Sequence, residues 1–143
     1  MWLLRWIGWL RARLGWDDRA ECLALRGERA AARYLKRRGY RIVARRDRLW
    51  HLDEVDLVAV DGRTVVFVEV KTRRDQQHGH PAEAVGPDKQ RRLARLARTF
   101  LKRHGLLDYP ARFDVVAVTW PEHARRPTIE HIPNAFEAAD DGF

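Results

Sequence analysis

The sequence predicts a single α/β domain built on a central mixed β-sheet flanked by helices. Two long stretches repeat apolar residues at helical spacing, and several shorter stretches between and after them have strand character. The most apolar strand, Thr64 to Thr72, carries Val65, Val66, Phe67, Val68 and Val70 on both of its faces. Such a strand belongs in the middle of a sheet covered on both sides. At 143 residues with 45% hydrophobic content, the chain is long enough for one real core.

The elements follow in order. Residues 1–16 form a Trp- and Arg-rich segment in which Trp2, Trp6, Trp9 and Trp16 alternate with Arg5, Arg11 and Arg13. It lacks the unbroken apolar stretch and small-residue cleavage site of a signal peptide. An amphipathic helix fits better, docked on its own domain, on a partner or on a membrane surface, with its own domain favoured. The main domain is expected over 17–136. Asp17 and Asp18 can start a helix whose apolar residues run from Ala20 to Leu35, and Gly39 ends it as a C-cap glycine would. Tyr40 to Ala44 reads as a first strand and Glu54 to Val60 as a second, with Asp61-Gly62 as the turn into the third. Arg73 to Asp88 is a long loop without periodicity. Lys89 to Arg103 is a helix with Leu93, Leu96, Ala97, Phe100 and Leu101 as its buried stripe. Phe113 to Val118 is a fourth strand and Ile129 to Ile132 a short fifth, before an acidic tail at 137–143.

Composition narrows the chemistry. Lys and Arg total 28 against 20 Asp and Glu, a formal net charge of +8, which favours a polyanionic partner. There is no serine in the chain, so Ser-His-Asp hydrolases and serine recombinases are excluded. The single cysteine, Cys22, can form neither an internal disulfide nor a Cys-based zinc site; a buried thiol and a reducing cytoplasm fit it. No segment reaches the roughly 18 uninterrupted apolar residues of a membrane span. If the protein is an enzyme, water is its nucleophile, and water needs a base or a metal.

Asp56, Glu69 and Lys71 are the residues best placed for that work. Strand alternation sets Val65, Phe67, Glu69 and Lys71 on one face, and Asp56 shares a face with Glu54, Val58 and Val60 on the preceding strand. A two-residue Asp61-Gly62 loop would pair Asp56 with Phe67, and a four-residue loop would set Asp56 directly opposite Glu69. Either register brings the carboxylates within roughly 5–8 Å at Cβ. Two unpaired carboxylates that close resist joint ionisation, and a hard divalent cation resolves the conflict. Asp56 and Glu69 would ligate Mg²⁺ or Mn²⁺, with the Val70 carbonyl as a third protein ligand and Lys71 orienting the attacking water. Glu28, beside the apolar stripe of its helix, is the candidate supporting carboxylate. Against this stands the surface ion pair, the commoner meaning of Glu-x-Lys on a strand; Glu54 would then partner Lys71.

The order of helix Glu, strand Asp and Glu-x-Lys resembles the restriction-endonuclease-like superfamily, the PD-(D/E)xK nucleases. More closely, the chain resembles the YraN-like family of predicted endonucleases, itself similar to archaeal Holliday-junction resolvases. The matching stretches are Gly27-Glu28 with Ala32 and Tyr34-Leu35, Gly39-Tyr40, Glu54-Val55-Asp56-Leu57-Val58, Phe67-Val68-Glu69-Val70-Lys71, Arg112-Phe113-Asp114-Val115-Val116, His131-Ile132 and Asn134-Ala135-Phe136. The resemblance implies a restriction-endonuclease-like fold, with Glu28, Asp56, Glu69 and Lys71 at the active positions. It implies branched DNA as substrate and a symmetric dimer as the form suited to a resolvase. Val55 rather than proline precedes Asp56, and Asp53 stands where the family usually has Gly.

For DNA contact the candidates are Arg45, Arg46, Arg48, Arg73, Arg74, Lys89 and Arg92, around the site and along the second helix. A solvated polar face is the alternative for any one of them. No helix-turn-helix, zinc finger or RNA-recognition motif is present, so backbone or shape recognition is expected. His78-Gly79-His80 fits a solvated loop better than a metal site, and Asp114 is expected to make a structural hydrogen bond. Two rival functions remain open: a non-catalytic DNA-binding module of the same fold, and an adaptor docking to a membrane surface or protein through residues 1–16.

Overall fold

The computed structural model describes residues 18–45, 54–75, 77, 79–81 and 85–137. The Trp-rich segment 1–16, Asp17, Arg46, Arg48, Asp53, His78 and the tail beyond Glu137 lie outside the described residues, as does the side chain of Cys22. Helix α1 spans Asp18–Arg37. It stops where Gly39 adopts φ +93°: the Tyr40 amide donates to the Leu35 carbonyl and the Gly39 amide to the Lys36 carbonyl, both at 3.1 Å. This is the Schellman termination that the position of Gly39 predicts.

Strands β1 (Arg41–Arg45), β2 (Leu57–Asp61) and β3 (Thr64–Arg73) form an antiparallel meander. Helix α2 (Pro87–Arg103) then crosses over to β4 (Ala111–Thr119), which runs parallel to β3, and β5 (Thr128–Phe136) returns antiparallel. The sheet order is β1-β2-β3-β4-β5, and the one parallel pair at its centre makes the sheet mixed. This is the α/β architecture expected of a restriction-endonuclease-like domain. A parallel pair needs a long crossover, and α2 supplies it.

The central strand is covered on both faces, as its composition requires. Val58, Val65, Phe67, Phe113 and Val115 pack under Leu93, Ala97 and Leu101 of α2. Leu57, Ala59, Val66, Val68, Val116 and Val118 pack under Ala30, Ala31 and Leu35 of α1. Helix α1 approaches β3 closely at Gly27, where a Cβ would lie 1.8 Å from Thr72 Oγ1 and 2.8 Å from Thr72 Cβ. Gly27→Ala is therefore expected to push α1 off the end of β3 and cost about 1–3 kcal/mol, measurable by urea unfolding.

Several boundaries shift from the sequence expectation, and three of the shifts have a clear physical reason. The β2–β3 loop is Gly62-Arg63, not Asp61-Gly62, with Asp61 already paired to Thr64. Gly62 has φ +59° and must occupy the first loop position, where a type II′ turn places its glycine. Strand β2 begins at Leu57 because Asp56 has left the ladder to make a side-chain contact described below. Strand β5 runs past Pro133 to Phe136, which an edge strand tolerates, with a register shift opposite Phe113/Val115 and Asn134 at φ +50°.

Candidate active site

The hairpin register decides where the carboxylates meet. Val60 pairs with Val65 and Leu57 with Val68. Continued by one residue, that register sets Asp56 opposite Glu69, the second of the two alignments open to the sequence. Asp56 lies at the start of β2, where β3 continues alone beside β4. Its Oδ2 accepts a hydrogen bond from the Val70 amide at 2.8 Å, supplying an acceptor that β2 no longer offers at that position. Asp56 and Glu69 are 5% and 6% exposed. Burying both would be costly without compensating partners.

Glu69 faces two ammonium groups. Lys71 Nζ lies 3.3 Å from Glu69 Oε1, and Lys89 of α2 also donates to that oxygen. The sequence placed Lys89 on a DNA-facing helix surface; the fold turns it into the site, 20 residues away from Glu69 along the chain. The other carboxylate oxygen, Glu69 Oε2, is buried and has no hydrogen-bond partner among the described residues. Such an orphan is uncommon and marks a position where a ligand or water completes the set. Glu54, the alternative partner for Lys71, instead receives Arg92 Nε at 3.0 Å on both of its carboxylate oxygens.

Glu28 is buried on α1, next to the Gly27–Thr72 approach at the same end of β3. It belongs to the helix on the Val66/Val68 face, whereas Glu69 follows the Phe67 alternation on the other face. Among the described residues no three His, Cys, Asp or Glu side chains converge as a metal cage. The donor set still fits a hard divalent cation, which takes one or two carboxylates and keeps several waters. The candidates are Asp56, Glu69 and the Val70 carbonyl; Glu28, expected in support, is on the helix that covers the other face.

The predicted DNA contacts scatter more widely. Arg92 is engaged by Glu54, Arg74 Nη1 donates to the Trp120 carbonyl at 3.3 Å, and Arg73 Nη1 reaches the Gly79 carbonyl at 3.5 Å. Arg45 is half-buried on β1, while Arg46 and Arg48 lie outside the described residues. Lys71 and Arg73 line an open pocket of ≈ 320 Å³ with His80, Thr119 and Glu130, on the β4–β5 side of Lys71. His80 Nε2 lies 3.8 Å from Glu130 there, and His78 lies outside the described residues.

Asp114 makes far more than one structural hydrogen bond. It is fully buried on the α1 face and accepts from Arg112 Nε (3.0 Å) and Nη2 (3.3 Å), the Asn134 amide (2.9 Å) and His131 Nε2 (2.8 Å). An ionised carboxylate only accepts, so the His131 proton sits on Nε2. Arg112 also reaches Asp61 at 3.2 Å and the Tyr40 hydroxyl at 2.8 Å. Burial pushes the Asp114 carboxyl up, but hydrogen bonds from His131, Arg112 and Asn134 outweigh it and hold the group below the usual carboxylate range. Burial also raises the Tyr40 hydroxyl, against the lowering influence of Arg112. This network ties Tyr40, at the entry to β1, to β2, β4 and β5.

Fold and site together define a small α/β domain that presents a buried carboxylate pair and two lysines near the end of its central strand. The chain belongs to the UPF0102 family, the YraN-like group whose residues it resembles: the model described as "Uncharacterised protein family UPF0102" matches residues 27–118. A UPF0102 protein of Geotalea uraniireducens is 51% identical over 125 residues, covering 86% of this chain and 97% of that relative. One from Geobacter sulfurreducens is 53% identical over 119 residues, covering 82% and 90%. One from Symbiobacterium thermophilum is 53% identical over 112 residues, covering 78% and 93%. Among the described residues no helix is long and apolar enough to cross a membrane.

Proposed function

We propose that this protein is a metal-dependent endonuclease that hydrolyses phosphodiester bonds in DNA, with branched DNA as its preferred substrate. The observation that carries the reading is the buried, unpartnered Oε2 of Glu69, beside Asp56 and Lys71 near the strand end. Mg²⁺ or Mn²⁺ held by Asp56, Glu69 and the Val70 carbonyl would supply charge to a phosphate oxygen and acidify water. Lys71 orients the attacking water and offers its ammonium to charge growing on the phosphate as the new P–O bond forms and the P–O bond to the leaving sugar oxygen breaks. The water gives up a proton to solvent, and the leaving oxygen takes one from it. Lys89, on the same carboxylate oxygen, keeps a second positive charge at the mouth of the site. The net charge of +8 favours a polyanionic substrate, and a cytoplasmic homodimer suits cutting on opposed strands.

One observation favours the rival, a non-catalytic DNA-binding domain: two ammonium groups already neutralise Glu69. Cleavage of labelled single-stranded, duplex, flap and four-way-junction DNA in EDTA, Mg²⁺ or Mn²⁺ separates the two. Metal-dependent cutting is expected, strongest on the junction, and reduced about 10²–10³-fold in Lys71→Ala with DNA binding retained. Asp56→Asn is expected to lose cutting as well. Salt-sensitive binding to every DNA with no cutting of any would leave the binding module.

A further inference from the structure

The other face of the domain holds a second concavity, away from Glu69. It has a volume of ≈ 610 Å³ and lies between the C-terminal half of α1 and the turn from β4 into β5. Arg33 and Arg37 line it from α1, and Arg125 and Arg126 from the turn. All four are exposed, and none makes an ion pair with a carboxylate among the described residues. Glu122, the one acidic residue of that turn, is exposed and does not neutralise them. Like charges four apart on a helix destabilise it, so Arg33 and Arg37 oppose the fold that carries them. Four guanidinium groups around one groove, uncompensated among the described residues, match an anion with several charges.

The aromatic lining says which part of such an anion is held. Trp120 is buried, with the Arg26 guanidinium 4.1 Å from its ring centroid, and Tyr34 carries the Arg38 guanidinium at 4.5 Å. Both rings are already stacked by arginines and are not platforms for bases. Stacking instead fixes two more guanidinium groups beside the groove. What remains to be recognised is a run of phosphates, which arginine forks match well.

We infer that this groove is a second nucleic-acid contact, binding the sugar–phosphate backbone of DNA through Arg33, Arg37, Arg125 and Arg126 without reading its sequence. The inference rests on the proposal that DNA is the substrate and extends it to a surface outside the cleavage site. The two surfaces are connected: the Trp120 amide donates to the Arg73 carbonyl at 2.7 Å, and Arg73 lines the pocket beside Lys71. DNA leaving the carboxylate site past Arg73 meets the groove on the other side of the β4–β5 turn.

The test is fluorescence anisotropy of the full chain with labelled duplex and junction DNA in EDTA, over a salt series. Arg33→Gln/Arg37→Gln and Arg125→Gln/Arg126→Gln are each expected to weaken binding about tenfold or more for every sequence. Each pair is expected to lower the slope of log K against log salt by about 2, roughly one unit per lost phosphate contact. Circular dichroism unchanged from the parent chain secures the folded state, which these exposed positions should leave intact. Parent-like affinity and slope in both double variants would overturn the groove. So would a loss confined to phosphatidylserine vesicles, with DNA binding unchanged. Binding in EDTA is independent of cleavage, so loss of DNA affinity in a chain that cuts nothing supports the groove and counts only against the nuclease.

Discussion

Asp114→Ala is expected to destabilise the domain by about 3–5 kcal/mol, a large share of the roughly 5–15 kcal/mol that holds a domain folded. The substitution removes the acceptor for Arg112, His131 and the Asn134 amide at once. Arg112 keeps Asp61 and Tyr40, both nearer the surface, but loses the carboxylate that justifies its burial. His131 is left with an unsatisfied ring N–H between Tyr34 and Tyr40, whose rings it meets edge-on at 6.2 and 5.7 Å. Urea unfolding is the measurement, and a loss below 1 kcal/mol would show that the network can relax around the gap. The pH dependence has a definite sign. Folding lowers the Asp114 pKa below its ordinary 3.8, so its stabilisation is fully present above that value. It is lost as pH falls through the lower folded value. The stability difference between the parent chain and Asp114→Asn should therefore stay level from about pH 7 to pH 5 and shrink below about pH 4.

The same residue shows what local sequence patterns can and cannot reveal. Strand alternation and helical spacing depend on neighbours a few residues apart, and they located both described helices and all five strands. Asp114 could be recognised as structural, but its partners lie 2, 17 and 20 residues away, and only the folded sheet brings them together. Those partners, and the Tyr40 that Arg112 reaches, fall within the short stretches that carry the family resemblance: Gly39-Tyr40, Arg112-Phe113-Asp114, His131-Ile132 and Asn134-Ala135-Phe136. Much of that pattern is thus accounted for by a buried polar network and not by chemistry at the site. Lys89 was hidden for the opposite reason. On a helix rich in basic residues nothing local distinguishes it from Arg91 or Arg95, and only the packing of α2 across β3 sends it to Glu69. Asp56 and Glu69 were legible because one hairpin sets their separation, and of the two open registers the position of Gly62 selects the one that aligns them.

Glu69→Gln is expected to lower cleavage at least about 10²-fold, more than loss of an outer partner of a metal ligand typically costs. A second readout does not depend on turnover. Any cation held by Glu69 binds the folded chain and not the unfolded one, so Mg²⁺ or Mn²⁺ at 100 times its Kd should stabilise the parent by about 2.7 kcal/mol. The amide of Glu69→Gln keeps the shape of the side chain but carries no charge for the cation, and its Tm should not respond to metal. Lys89→Met separates the two roles that an ammonium can have there. If Lys89 competes with the cation for Glu69 Oε1, its removal strengthens the metal-dependent rise in Tm while Lys71 stays in place to orient water. If Lys89 instead serves the phosphate, metal stabilisation is unchanged and DNA affinity falls. A metal response that survives in Glu69→Gln would move the cation off this carboxylate. The buried Oε2 would then be an unsatisfied atom of the fold, and the catalytic reading would lose the observation on which it stands.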